Sequence, residues 1–158
     1  MLKIVSYWVE AARSPENVVA MKAKGFAFSR RFGTGFPTQA QAEARMRSAE
    51  EDGFDIVKMS ERHYEVSQSY RKFSSEKFET FHLTSDGRYG YQSLGRGEYT
   101  IVEYTGAFEF RHVANAESKS AAREWISDRY AIEKAEREGK QLYDDVLKRI
   151  VTLEEARA

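Results

Sequence analysis

The run His63–Phe110, HYEVSQSYRKFSSEKFETFHLTSDGRYGYQSLGRGEYTIVEYTGAFEF, decides the fold class. It holds eleven of the twenty-one aromatic residues in under a third of the chain, and they recur at two-residue spacing. Tyr64, Val66 and Tyr70 alternate with Glu65, Ser67 and Ser69. Alternation of this kind marks strands with one face buried. Polar breaks at Ser74-Ser75-Glu76, Ser85-Asp86-Gly87-Arg88 and Gly95-Arg96-Gly97-Glu98 divide the run. Asp86-Gly87 suits a type I′ hairpin turn, and Gly106 a bulge or bend before Ala107–Val113. The reading is an antiparallel meander whose core is residues 63–113.

Working outward, Leu2–Val9 is apolar on both alternating sets and reads as a central strand buried on two faces. Ser14–Asn17 reads as a turn, Val18–Met21 as a second strand or one helical turn, and Gly25–Phe32 as a strand. Thr38 with Gln41 three residues on has the form of a capping box. It opens a helix over Gln39–Asp52 that Gly53 ends. Phe54–Met59 reads as a short strand. Beyond the meander, Asn115 caps a helix over Ala116–Glu138 with Ala121, Trp125, Ile132 and Ala135 on its apolar stripe. Gln141–Ala156 reads as a third helix, because Tyr143, Val146, Ile150 and Leu153 fall at coiled-coil spacing. Residues 116–157 would then form a helical hairpin or a homodimer seam through those four side chains.

The fold class expected is α+β: an antiparallel sheet of about five to seven strands, packed by one N-terminal-half helix and a C-terminal helical pair. A chain of 158 residues is read as a single domain. It has no cysteine, which excludes disulfides, thiolate catalysis and Cys-ligated zinc. Met1–Glu10 lacks the apolar region of a signal peptide, and no window is apolar enough to span a bilayer. No membrane association and a cytoplasmic location are expected.

Lys plus Arg and Asp plus Glu both number 25, so the formal net charge is zero. The balance also holds along the chain: nine basic against seven acidic residues over 1–58, seven against eight over 61–111, and nine against ten over 112–158. A nucleic-acid binder usually carries a basic excess, which disfavours that class.

Three groups of residues bear on function. Arg30, Arg31, Gly33, Thr34, Gly35 and Thr38 lead into a helix N-terminus and form an anion-binding candidate, without a phosphate-loop or dinucleotide pattern. Tyr70, Arg71, Lys72, Phe73, Lys77, Tyr89, Tyr91 and Arg96 interleave rings and cations and form a partner-binding candidate. His63 and His82 would meet across adjacent strands as an acid–base pair. No metal-ligand spacing is present, and no cofactor, metal or catalytic residue is assigned.

Together these readings favour a non-enzymatic protein that binds another macromolecule through its aromatic sheet, with a protein partner. Small cysteine-free chains of this kind match the profile of phage or mobile-element inhibitors of the anti-CRISPR type. Two alternatives follow from the same residues. One is single-stranded nucleic-acid binding on the basic–aromatic stretch. The other is a small-molecule enzyme built on His63 and His82 or on the Arg30–Thr38 loop.

Overall fold

A computed structural model describes residues 1–25, 35–54, 57–75, 78–107 and 109–158. Among the described residues the fold is α+β, with two antiparallel sheets and four helices, two of which make a C-terminal pair. The chain divides into two compact units, Met1–Leu2 with Glu65–Ile132, and Lys3–Tyr64 with Glu133–Ala158.

In the second of these units the central strand is β1 (Leu2–Ala11), inside the order β2-β1-β8-β9. Both sides of β1 are covered, which is why Ile4, Val5, Tyr7 and Val9 are all buried. Its neighbour β2 (Val57–Glu65) runs antiparallel to it, since the Trp8 indole N–H donates to the Tyr64 hydroxyl and Arg62 reaches Glu10. His63 and Tyr64 therefore belong to this sheet and not to the meander, because only strand pairing, and not alternation, decides which sheet a strand joins.

Helix α1 (Pro15–Ala23) takes the place of the strand or single turn expected at Val18–Met21. Ser14 caps it by accepting the Asn17 N–H, and Pro15 supplies a preset φ at its first position. Helix α2 (Gln39–Glu51) begins at the Thr38 cap as expected. Its buried Ala42 and Ala49 join Val5, Tyr7, Val9, Ala11, Met21 and Phe54 in one core. The strand expected over Gly25–Phe32 lies outside the described residues, apart from Gly25.

The meander begins at β3 (Tyr70–Ser75) and continues through β4 (Phe78–Thr84), β5 (Tyr89–Gly95), β6 (Glu98–Gly106) and β7 (Glu109–Ala116), in that spatial order. Gly106 sits at a register shift between β6 and β7, as a bulge glycine would. The type I′ turn falls one hairpin later than expected. Arg96 (φ 54°) and Gly97 (φ 80°) both occupy the left-handed region between the paired Gly95 and Glu98. At Asp86-Gly87 only Gly87 has a positive φ, 75°, and the Asp86 side chain shapes the turn instead. Its Oδ1 accepts the Arg88 N–H at 3.1 Å.

Helix α3 (Lys119–Glu138) closes one face of this sheet. Ser118 serves as its cap, its Oγ accepting the Ala121 N–H at 3.0 Å. Asn115 lies within β7 and pairs with Thr100. Tyr89, Tyr91 and Ile101 from the sheet and Ala122 and Ile126 from the helix make the core of this unit.

The expected third helix is the largest local departure. Residues 142–151 form a hairpin of β8 (Leu142–Asp144) and β9 (Arg149–Val151), and only α4 (Leu153–Arg157) is helical. The coiled-coil seam is thereby removed: Tyr143 lies in β8, Val146 in the turn, Ile150 in β9 and Leu153 in α4. Two local effects defeat the helical spacing. Asp144 Oδ1 accepts the N–H groups of Val146 and Leu147, an alternative to helical hydrogen bonding. Ile150, Val151 and Thr152 are consecutive β-branched residues, which favour the strand. Thr152 and Glu155 then form the capping box that starts α4.

Candidate functional site

The five-stranded sheet sorts its side chains by pleat. Tyr70, Lys72, Thr80, His82, Tyr89, Tyr91, Ser93, Tyr99 and Ile101 face α3, as the pairs Lys72–His82, His82–Tyr91, Tyr91–Ile101 and Ser93–Tyr99 require. The opposite face carries Arg71, Phe73, Phe81, Leu83, Val102, Tyr104, Phe110 and His112. The basic–aromatic stretch is therefore split between the two faces. Tyr89 and Tyr91 are buried beneath α3 and offer no ring to a base, while Arg71 and Phe73 point the other way. Arg96 is in the β5–β6 turn, and Lys77 lies outside the described residues.

On the face away from α3 the rings form a continuous group. Phe73 pairs with Phe81, whose ring meets that of Phe110 edge-on at 5.8 Å, and Phe110 lies 5.3 Å from Tyr104. Gly90 makes this possible. A Cβ there would stand 2.8 Å from the tip of the Phe81 ring and from the His82 carbonyl oxygen, so the absent side chain is the space Phe81 uses. Phe73 is 51% exposed, and Tyr104 and Phe110 are each 42% exposed. A patch of neighbouring exposed rings costs solvation free energy and is characteristic of interaction surfaces.

Beneath α3 the order is tighter. The Arg123 guanidinium stacks over Tyr70 at 4.8 Å, and its Nε donates to the Tyr91 hydroxyl at 2.8 Å. The Tyr70 hydroxyl is buried without a hydrogen-bond partner among the described residues, and burial pushes it up to about 12. His82 stacks on Tyr91 with ring centroids 4.8 Å apart and planes within 9°. Burial, then the positive charges of Lys119, Arg123 and Lys72, hold the His82 imidazole below its usual range. Further along the helix, the Tyr130 hydroxyl donates to Asp86 Oδ1 at 2.6 Å, and the Thr84 hydroxyl donates to the same oxygen at 2.7 Å.

His63 and His82 sit in different sheets, so the expected acid–base pair on adjacent strands does not form. His63 stacks on Tyr143 at 3.8 Å and bonds Glu61 at 3.1 Å within its own unit. Of the anion-binding candidate, Arg30, Arg31, Gly33 and Thr34 lie outside the described residues. Gly35 has a packing reason to be glycine, because a Cβ would fall 2.0 Å from Ser6 Oγ and 3.0 Å from the Trp8 ring. Thr38 spends its side chain on the α2 cap. Among the described residues no cluster of three His, Asp or Glu side chains is placed to hold a metal ion, and no helix is long and apolar enough to cross a membrane.

Sequence reasoning missed Lys119, Arg123, Thr80, Ser93 and Tyr99, which converge near His82. They come from three strands and the first turns of a helix far apart in the chain, and no local spacing links them. In comparisons with known proteins, no family model, no curated sequence and no solved structure matches this chain.

Proposed function

We propose that this is a non-enzymatic binding protein that engages a protein partner through the ring-bearing face of its five-stranded sheet. The observation that carries the reading is the joined group Phe73, Phe81, Tyr104 and Phe110 on the face opposite α3, three of its four rings roughly half exposed. Aromatic side chains on a stiff sheet lose little conformational entropy when covered, and they anchor interfaces more often than other residues do. Arg71, on the edge strand of the same face, adds a bidentate donor at the rim. A phage or mobile-element inhibitor would work in this way, by contact alone.

The test is capture of a partner from cells by the tagged chain, compared with a Phe73→Ser, Phe110→Ser variant. The variant should keep its far-UV spectrum and lose the partner. A partner retained at full yield by the folded variant would remove the assignment of this face.

A further inference from the structure

A recess of about 570 Å³ opens at the edge of the α3-side face, lined by Lys72, Thr80, His82, Ser93, Tyr99 and Lys119. Its size is that of a small-ligand site. Two ammonium groups and an imidazole border it, with three hydroxyl-bearing side chains, and no carboxylate lines it among the described residues. Lys72 and Lys119 have no carboxylate within ion-pair distance among the described residues. A second cleft nearby, of about 280 Å³, also has cations in Arg111 and Arg129, but Glu103 lines it and bonds Arg111 at 2.7 Å. Among the described residues the first recess thus has positive charge that no carboxylate compensates, and the second does not.

The ring geometry narrows the ligand further. One face of the His82 imidazole lies against Tyr91, and the residue also lines the recess, so the stack can continue outward onto a planar ring. The same field of Lys119, Arg123 and Lys72 that lowers the imidazole's proton affinity would be relieved by a bound anion.

We propose that this recess binds a small phosphate-bearing ligand with a planar ring, of mononucleotide size. Lys72 and Lys119 hold the phosphate, and the ring stacks on His82. The site lies on the opposite face from the proposed partner surface and does not depend on it.

Titration calorimetry on the full chain tests this with four probes: adenosine monophosphate, adenosine, inorganic phosphate and a short single-stranded oligonucleotide. Adenosine monophosphate should bind saturably, phosphate more weakly, and adenosine below detection. Lys72→Ala and Lys119→Ala, both at exposed positions, should each weaken the monophosphate on the order of tenfold, the loss of one charge-assisted contact. His82→Ala should bring its affinity down to that of phosphate. Phe73→Ser, Phe110→Ser should leave it unchanged. Absence of saturable binding overturns the proposal. So does adenosine binding as tightly as its monophosphate, or affinity unaltered in both lysine variants. An oligonucleotide that binds far more tightly than the monophosphate would also overturn it, since the surface would then be a strand track.

Discussion

The two faces of the five-stranded sheet have similar ring content and opposite fates. Beneath α3, Tyr91 and Ile101 are fully buried, and the Tyr91 hydroxyl has a charged donor in Arg123. On the other face Tyr104 meets Phe110, Phe110 meets Phe81, and Phe73 pairs with Phe81, while Phe73, Tyr104 and Phe110 stay open to water. The difference is one helix. Aromatic alternation reports that a strand has a face worth covering, and it does not report who covers it. Rings that are buried in the isolated chain should contribute to its stability. Rings that are exposed should contribute little to it.

The sharpest way to break that contrast is to truncate one ring on each face and measure urea unfolding. Tyr91→Ala removes a ring packed against Tyr70, Tyr99 and His82 and leaves a cavity, so it should cost about 3–5 kcal/mol. Phe110→Ala should cost less than about 1 kcal/mol, as surface changes usually do. Equal costs would mean that the ring-bearing face is already sealed in the free protein. Gly90→Ala comes next, at about 1–3 kcal/mol of overpacking. The new methyl would meet the His82 carbonyl oxygen, which is backbone and cannot turn aside, as well as the Phe81 ring. An unchanged unfolding midpoint would mean that Phe81 does not lie across Gly90.

Asp86 tests how the covering helix is held. Burial alone would raise its carboxyl pKa. Hydrogen bonds from Tyr130, Thr84 and the Arg88 amide outweigh that and hold it below its usual range. A carboxyl depressed in the folded state stabilises above its unfolded pKa of about 4, and that stability is lost as pH falls through the lower folded value. Asp86 is exposed, so solvent screening reduces the effect; Asp86→Ala should cost about 0.5–1 kcal/mol at pH 7, and the gap to the parent should narrow below about pH 4. A gap that stays constant down to pH 2 would show that the charged carboxylate is not what ties the β4–β5 turn to α3.

Much of this arrangement was legible in the sequence, and the failures share a cause. Period-two spacing and the turns between located β4 through β7, and the Thr38 cap located α2, because each signal is local. His63 and Tyr64 alternate as well as any meander residue, yet they pair with β1, and only long-range pairing separates the two cases. Tyr143, Val146, Ile150 and Leu153 keep helical spacing but lose to an Asx turn at Asp144 and to β-branched residues. The recess was half visible: Lys72 and His82 stood out as chemistry, while Lys119 arrives from the start of α3 some forty residues later, beyond the reach of any spacing argument.

An equally small effect comes from a position on neither face. Arg96 holds φ 54° in the type I′ turn, a region that costs most L-residues free energy and that Asn tolerates. It is exposed, and no contact among the described residues asks for arginine. Arg96→Asn should therefore stabilise the chain by about 0.5–1 kcal/mol, read as a rise in the urea midpoint at unchanged slope. Because the turn only joins β5 to β6, the gain should appear without change in partner capture or in nucleotide binding. Stability and binding would then move independently, as they must if the buried face folds the protein and the bare one meets its partner. A variant that gained stability and lost the partner would place Arg96 at the interface rim.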